Sequence, residues 1–313
     1  MIAEPVRNRR ALNWRSQAFR GVVYQILAIL ILAAVVGFLI HNTLANMSAR
    51  GMQSGFGFLN QAAGFDIGET LIPYDSQNPY WKAFIVGLLN TVKVAAVGIV
   101  LATLIGCIVG VGRFARNPIV RGLCYVYIEV FRNVPVLIQL FLWYLVYTDT
   151  LPPVDEPLKW LDVMTLSKEG LTLGGFTASP EYLSLLTGLV LYSANYIAEI
   201  VRAGIASVSH GQIEAAWSIG LSTGQTMRRV LLPQALRVIV PPLTSQYLNL
   251  TKNSSLAVAI GYPDLISITN TSINQTGRAV ECIAVTMAIY LSLSLATSMF
   301  MNWFNARAAI KER

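Results

Sequence analysis

Residues 209–233 read SHGQIEAAWSIGLSTGQTMRRVLLP, from Ser209 to Pro233, a polar island between two long apolar segments. Two helix starts follow one another in it, because Ser209 with Gln212 and Ser222 with Gln225 both have capping-box spacing. Gly220, between them, can take the left-handed conformation that ends the first helix. Pro233 is expected to stop the second from running on unbroken. The stretch therefore predicts a short helix, a glycine turn and a second short helix, outside any membrane. So much local order in a loop points to a docking surface.

The surrounding composition says where such a loop sits. The chain has 313 residues, 54% hydrophobic and 12% charged, with a mean hydropathy of +0.55. Soluble chains carry about 25% charged residues, and a helix crosses a bilayer with about 20 apolar residues. Several runs here are that long, so the reading is an all-α polytopic membrane protein. The first run follows a tail with Arg7, Arg9, Arg10, Arg15 and Arg20 and lacks a clear small-residue cleavage site, so it is expected to stay as an anchor. Cys107, Cys124 and Cys282 fall in apolar segments and His41 and His210 lie far apart. No metal site is expected, and the cysteines read as small core residues.

Six spanning segments are expected, over 22–40, 82–112, 121–147, 181–205, 236–260 and 280–304. Gly55–Phe65 is apolar but too short to span and reads as an interfacial or re-entrant helix. Tyr80 and Trp81 suit a membrane interface. Gly106, Gly110 and Gly112 suit close helix packing and not phosphate binding, because no Lys-Ser/Thr follows them. The chain has no nucleotide-binding motif, so any ATP use belongs to another subunit. Pro241 and Pro242 are expected to bend the fifth segment. Two regions result: 1–81, with the basic tail, first helix and an outer segment, and 82–313, a five-helix core with an outer insert at 148–180 and a cytoplasmic loop at 207–233.

Orientation follows from charge. With the N-terminus inside, the inner segments collect the five tail arginines, then Arg113, Arg116 and Arg121, then Arg202, Arg228, Arg229 and Arg237, then Arg307, Lys311 and Arg313. The outer segments hold only Arg50, Lys82, Lys159, Lys168 and Arg278, while Lys93, Arg132 and Lys252 fall within helices. Both termini are thus expected inside, with Ser209–Pro233 in the cytoplasm. The same count explains the net charge of +7 without invoking nucleic acid.

At this point the residues resemble a family. Glu214-Ala215-Ala216, three residues, Gly220, nine residues, then Val230-Leu231-Leu232-Pro233 is similar to the EAA motif of ABC importer permeases, E-A-A-x3-G-x9-I-x-L-P, with Val230 in place of Ile. Residues 127–135 (YIEVFRNVP), 196–205 (YIAEIVRAGI), 232–237 (LPQALR) and 251–257 (TKNSSLA) look like the polar amino-acid branch of that family. The likeness covers about 82–310. The N-terminal helix, the acidic insert and Phe65-Asp66-Ile67 resemble the Q-type subunit of the general L-amino-acid permeases.

The resemblance implies a type I importer (MetI-like) permease fold of five core helices plus one. It implies an ABC ATPase dimer below, a second, homologous permease beside it and a periplasmic amino-acid-binding protein above. This chain would bind no cofactor itself, with ATP and magnesium on the ATPase, and would sit in the bacterial inner membrane. It implies that Glu214, Ala215, Ala216, Gly220, Arg228, Arg229 and Pro233 couple to the ATPase. The residue chemistry agrees: small Ala215 and Ala216 let the helix sit deep in a cleft, Gly220 sets the angle, and Glu214, Arg228 and Arg229 can meet opposite charges.

Ionisable groups within the membrane are functional candidates, and a zwitterionic amino acid needs both an acceptor and a donor. The candidates are Glu129 and Arg132, spaced to pair with each other; Asn195 and Glu199, with Arg202 one turn on; Lys252, Asn253, Ser254 and Ser255, which interrupt the fifth segment; and Thr91, beside Asn90 and Lys93. Each could line a path or tie the bundle together. Pro135 is expected to free a backbone carbonyl near Phe131. Phe141, Trp143, Tyr144 and Tyr147 read as an interface belt. An ion-coupled transporter or channel is the alternative and calls for inverted repeats. A membrane enzyme calls for a nucleophile–base pair or metal ligands. Neither pattern is found.

Overall fold

Apolar runs become helices because a bilayer offers backbone N–H and C=O groups no partner outside the segment itself. The computed structural model describes residues 16–49, 51, 54–160, 163–174 and 176–308. Arg7, Arg9, Arg10, Arg15, Arg50, Asp162, Lys311, Arg313 and the side chain of Arg307 lie outside the described residues.

The first compact unit holds α1 (Gln17–Ala49), an apolar helix of 33 residues. The second unit starts at Phe56 and carries everything else. Its helices are α2 (Tyr80–Gly112), α3 (Pro118–Asn133), α4 (Val136–Thr150), α5 (Pro180–Ala206), α6 (His210–Ser218), α7 (Thr223–Thr226), α8 (Leu232–Asn253), α9 (Leu265–Thr276) and α10 (Ala279–Ala308). Among the described residues, four helices are long and apolar enough to cross a membrane: Phe19–Ala49, Tyr80–Gly112, Pro180–Ala206 and Ala279–Trp303. The bent pair of α3 and α4 adds a fifth if counted as one span. The expected span at 236–260 becomes α8, continued by a 3-10 turn over Ser254–Ile260; it is long enough to span, but its polar residues make it less apolar than the other four.

Helix α5 is the central post. A Cβ added at Gly106 would lie 2.6 Å from Ile197, and one at Gly110 would lie 2.7 Å from the Ala198 carbonyl. The missing side chains thus let α2 and α5 touch backbone to backbone, as their small residues predict. The pairing runs in step, Gly98 beside Leu186, Gly106 beside Ile197 and Gly110 beside Val201, so the two helices are parallel. Helix α8 runs the other way, with Ile239 against Gly204 and Leu250 against Gly98. The bundle therefore has two distinct ends. Gly112, Ala206 and α6–α7 share one; Tyr80, Pro180 and the turn after Ile260 share the other.

Three expectations change. The third segment is not one continuous helix: it is broken into α3 and α4, with a bend of 105° between them. Pro135 lacks an N–H and drives Val134 into extended backbone (φ −98, ψ 124). The carbonyls this frees are taken by Gln139, whose buried amide donates to Phe131 O at 3.0 Å and Val134 O at 2.8 Å. Gly55–Phe65 is not a re-entrant helix. A five-residue 3-10 turn, Phe56–Asn60, packs Phe58 edge-on against Tyr80, and Ala62 bridges to Pro79. The insert at 148–180 departs from the all-α expectation. It forms an antiparallel sheet in the order β1 (Leu158–Trp160), β2 (Met164–Ser167), β3 (Gly170–Leu173), β4 (Phe176–Ala178).

Candidate functional site

The α6–α7 hairpin is built by local chemistry. Helix α6 ends in a Schellman motif: Leu221 N–H donates to Ala216 O at 3.1 Å and Gly220 N–H to Trp217 O at 2.9 Å. That closure puts Gly220 at φ +82, where a side chain is strained although open space surrounds it. Helix α7 starts with a complete capping box. Ser222 N–H donates to Gln225 Oε1 at 2.9 Å, and Gln225 N–H to Ser222 Oγ at 3.4 Å. The first capping box does not form. Ser209 holds the N-cap position without a side-chain bond, and Gln212 instead accepts from the Gln234 amide at 2.9 Å.

Pro233 does not break the second helix either. It occupies the first turn of α8, and the chain stays helical from Thr223 to Asn253 through a π turn at Met227–Leu231. A proline clashes with the carbonyl four residues before it, here Arg229, and a π turn widens the backbone at that place. The helix likewise continues through Pro241 and Pro242.

One face of the hairpin grips the bundle. Ala216, Thr226 and Leu231 are buried, and Leu231, Val208 and Ile213 join the apolar cluster of Ile197, Ala194, Ile239 and Leu250. The opposite face is open. Glu214, Ala215, Arg228 and Arg229 are exposed, and Pro233 is half-buried. Trp217 and Ile219 are also exposed, at 54% and 77%. Sequence reasoning passed over these two, although apolar residues in a polar loop were a legible signal. Arg228 and Arg229 line a cleft of 620 Å³ with Ser222, Gly224 and Gln225. Exposed tryptophan and arginine side chains are what a protein partner uses as anchors.

The residues proposed from sequence for a path scatter over several helices. On α5, Glu199 accepts from Arg202 at 2.9 Å, while Asn195 is buried and donates to Tyr192 O at 2.5 Å. On α3, Glu129 does not pair with Arg132; the Asn133 amide donates to its backbone carbonyl at 2.7 Å and to its carboxylate at 3.4 Å. On α8, Lys252 is exposed, in line with exposed Asn249 one turn and Ser245 two turns earlier. Beyond it Asn253 is half-buried, Ser255 bonds Lys252 O, and Ser254 is buried on Thr251 O. Thr91 is buried, its hydroxyl donating to Gly87 O at 2.9 Å and accepting from Leu265 N–H at 3.1 Å, which caps α9. No group of three or more potential metal ligands occurs among the described residues.

At the far end, residues 56–79 fold back on the bundle through Glu69. Its carboxylate takes Lys93 at 2.5 Å and the Ser179 hydroxyl at 2.6 Å, and Lys93 also lies 4.2 Å from the centre of the Tyr182 ring. Asp264 caps α9 through Ser267 N–H at 2.8 Å, with its other oxygen buried. Burial pushes its carboxyl up to about 7. Neither carboxylate carried a sequence signal beyond its charge.

A family model for the inner-membrane component of binding-protein-dependent transport systems matches residues 98–310, two-thirds of the chain including the hairpin. The chain belongs to that family. It is a permease of the ABC importer type. It is 40% identical to the general L-amino acid transport system permease protein AapQ of Rhizobium johnstonii, over 94% of each chain. It is 38% identical to the putative amino-acid ABC transporter permease protein YhdX of Escherichia coli K12, over 97% of this chain and 98% of that one. Among solved structures it is similar to an amino acid ABC transporter crystallised with histidines (28% identity, TM-score 0.60, 73% of this chain and 95% of that one). The inward-facing MetNI methionine ABC transporter shares the fold (19% identity, TM-score 0.56, 74% and 98%). The permease carries the family's EAA motif on α6 and its coupling hairpin, with several apolar helices for membrane insertion.

Proposed function

We propose that this permease carries L-amino acids across the bacterial inner membrane as one of two unlike permease subunits. In this reading an ABC ATPase dimer binds the α6–α7 hairpin and holds ATP and magnesium, while this chain performs no covalent chemistry. The observation that carries the proposal is the hairpin itself, locked by the Schellman motif and capping box with its outer face open. Relatives named for amino-acid transport support the substrate class.

The geometry supplies a lever. Helix α8 leaves the hairpin at Leu232 and ends at Asn253, a run of about 33 Å at 1.5 Å per residue. A push on the hairpin acts on Leu231, Ala235 and Ile239 at one end and on Lys252–Ser255 at the other. The exposed line of Ser245, Asn249 and Lys252 has no apolar side chain to offer lipid, so it is proposed to face the second permease across a polar path. Glu129, Arg132, Glu199, Asn253 and Ser255 border that path in this proposal. Thr91, Asn195 and Ser254, buried here, would enter it only in a state that parts their neighbours.

The test is co-purification with candidate ATPases, followed by ATP hydrolysis in lipid discs. An amino-acid-loaded binding protein is expected to stimulate hydrolysis. Uptake that persists without any ATPase and collapses with the ion gradient would overturn the reading.

A further inference from the structure

The insert at 148–180 forms a sheet with two unlike faces. Strand residues alternate between faces, and the register pairs Leu158 with Leu166, Leu166 with Leu171, and Leu171 with Ala178. Trp160 and Leu173 share that parity, so one face is wholly apolar. The other carries Lys159, Thr165, Thr172 and Thr177, and the last two threonine hydroxyls lie 3.1 Å apart. Only part of the apolar face is covered. Ala178 is buried, and Leu171 packs on the cluster of Tyr182, Leu185 and Leu140. Trp160 remains 68% exposed, Leu158 65% and Leu173 51%. Strand β1, which holds Leu158 and Trp160, pairs on one side only.

We infer that this uncovered apolar face is the docking surface for the extracytoplasmic binding protein on which the transport system depends. The inference rests on the importer reading above. Three observations favour that occupant. The sheet joins α5 at Pro180 and the coupling hairpin leaves it at Ala206, so they lie at opposite ends of a 27-residue helix, about 40 Å apart at 1.5 Å per residue. Exposed acids outnumber bases beside the face: Asp155 and Glu156 lie just before β1, Glu169 sits in the β2–β3 turn and Asp149 near the end of α4, against Lys168 in that turn and Lys159 on the opposite face. Acids so placed repel an anionic bilayer and suit a protein whose apolar patch is flanked by lysine and arginine. Finally, Trp160 is a large rigid side chain at an open strand edge, the kind that anchors protein interfaces.

The experiment uses the assembled transporter, with its ATPase and second permease, in discs of zwitterionic lipid. The probe is the amino-acid-loaded binding protein that stimulates ATP hydrolysis by the unaltered complex. In the variant Trp160→Ser with Leu173→Ser, the concentration giving half-maximal stimulation is expected to rise at least about tenfold, with basal hydrolysis unchanged. In Asp155→Lys with Glu156→Lys, on exposed positions, it is expected to rise and to lose its dependence on salt. This second variant decides the matter if the first fails to assemble. Titrations like those of the unaltered complex overturn the inference and leave the importer reading intact. So does a Trp160 fluorescence that shifts with lipid composition and not with added binding protein. An unaltered complex that answers to no amino-acid-binding protein overturns both.

Discussion

The Lys93 ammonium sits 2.5 Å from the Glu69 carboxylate, with the two side chains only 9% and 12% exposed. This pair ties residues 56–79 to the middle of α2, and Ser179 brings in the start of α5. The Asn90 amide adds bonds to Glu69 O at 2.8 Å and Pro263 O at 2.9 Å, so four parts of the chain meet here. Removing one member of a buried ion pair strands the other charge, which costs about 3–5 kcal/mol. Glu69→Gln or Lys93→Met should therefore lower the thermal unfolding temperature in detergent clearly, and the double variant Glu69→Leu with Lys93→Met should recover part of the loss. A double variant no better than the worse single one would show that the charges do not act as a pair.

Gly220 is held at φ +82 with nothing within 4 Å of a would-be Cβ, so backbone strain and not crowding sets its tolerance. Gly220→Val should cut uptake strongly while membrane insertion stays normal, since a β-branched residue in this region costs about 1–3 kcal/mol. Gly220→Asn should retain most uptake, because asparagine tolerates left-handed backbone. Equal activity of the two variants, measured at equal membrane abundance, would remove the turn geometry from the coupling argument.

Lys252 ends the exposed polar line on α8 and lies far from the hairpin. Lys252→Met should change the uptake rate and the amino-acid concentration dependence by about tenfold, one lost charge contact, while co-purification with the ATPase stays intact. Unaltered uptake kinetics would assign Lys252 a structural place.

Two glycines discriminate close packing from mere small size. A Cβ at Gly110 meets the Ala198 carbonyl at 2.7 Å, a backbone atom that cannot turn aside. A Cβ at Gly188 meets Leu140 Cδ2 at 2.6 Å, the end of a side chain that can rotate. Gly110→Ala should destabilise by about 1–3 kcal/mol, and Gly188→Ala by much less, as read from thermal unfolding side by side.

Asp264, in the turn between Ile260 and α9, has its carboxyl raised to about 7 by burial. The folded protein therefore holds that proton over a range where the unfolded chain, with the ordinary value of 3.8, has lost it. Stability from this group is full at low pH, falls as pH rises from about 4 through about 7, and is flat above. Asp264→Asn keeps an N-cap and should flatten that decline, raising the unfolding temperature at pH 8 relative to pH 5. An unchanged pH profile would show that Asp264 titrates normally.

Much of this was legible in the sequence because it is local. The long apolar runs, the α6–α7 hairpin and the small residues of α2 each depend on contacts within a few residues or on a single missing Cβ. Where neighbouring signals competed, local reading went astray. Pro233 looked like a helix stop, yet a π turn in the preceding five residues accommodates it. Pro135 looked like a local perturbation, yet with Gln139 at hand to satisfy the freed carbonyls it splits a span into two helices. The insert's alternation of Leu158, Trp160, Met164 and Leu166 with polar residues was present in the sequence, but its strands are only three or four residues long and carry little periodic signal.

The sequence by itself determined the class of molecule, its long apolar runs and the two-helix hairpin between two of them. Side-chain volume, capping spacing and charge sign act through neighbours along the chain, so they can be read in order. Only the tertiary structure decided which distant groups meet: Glu69 with Lys93, Thr91 with Leu265 and Asn90 with Pro263, the last two pairs more than 170 residues apart. A buried polar group must find some partner, but its own residue type does not say which one. That choice is made when the glycines of α2 let it close on α5 and α9, and the groups facing each other across those contacts become partners.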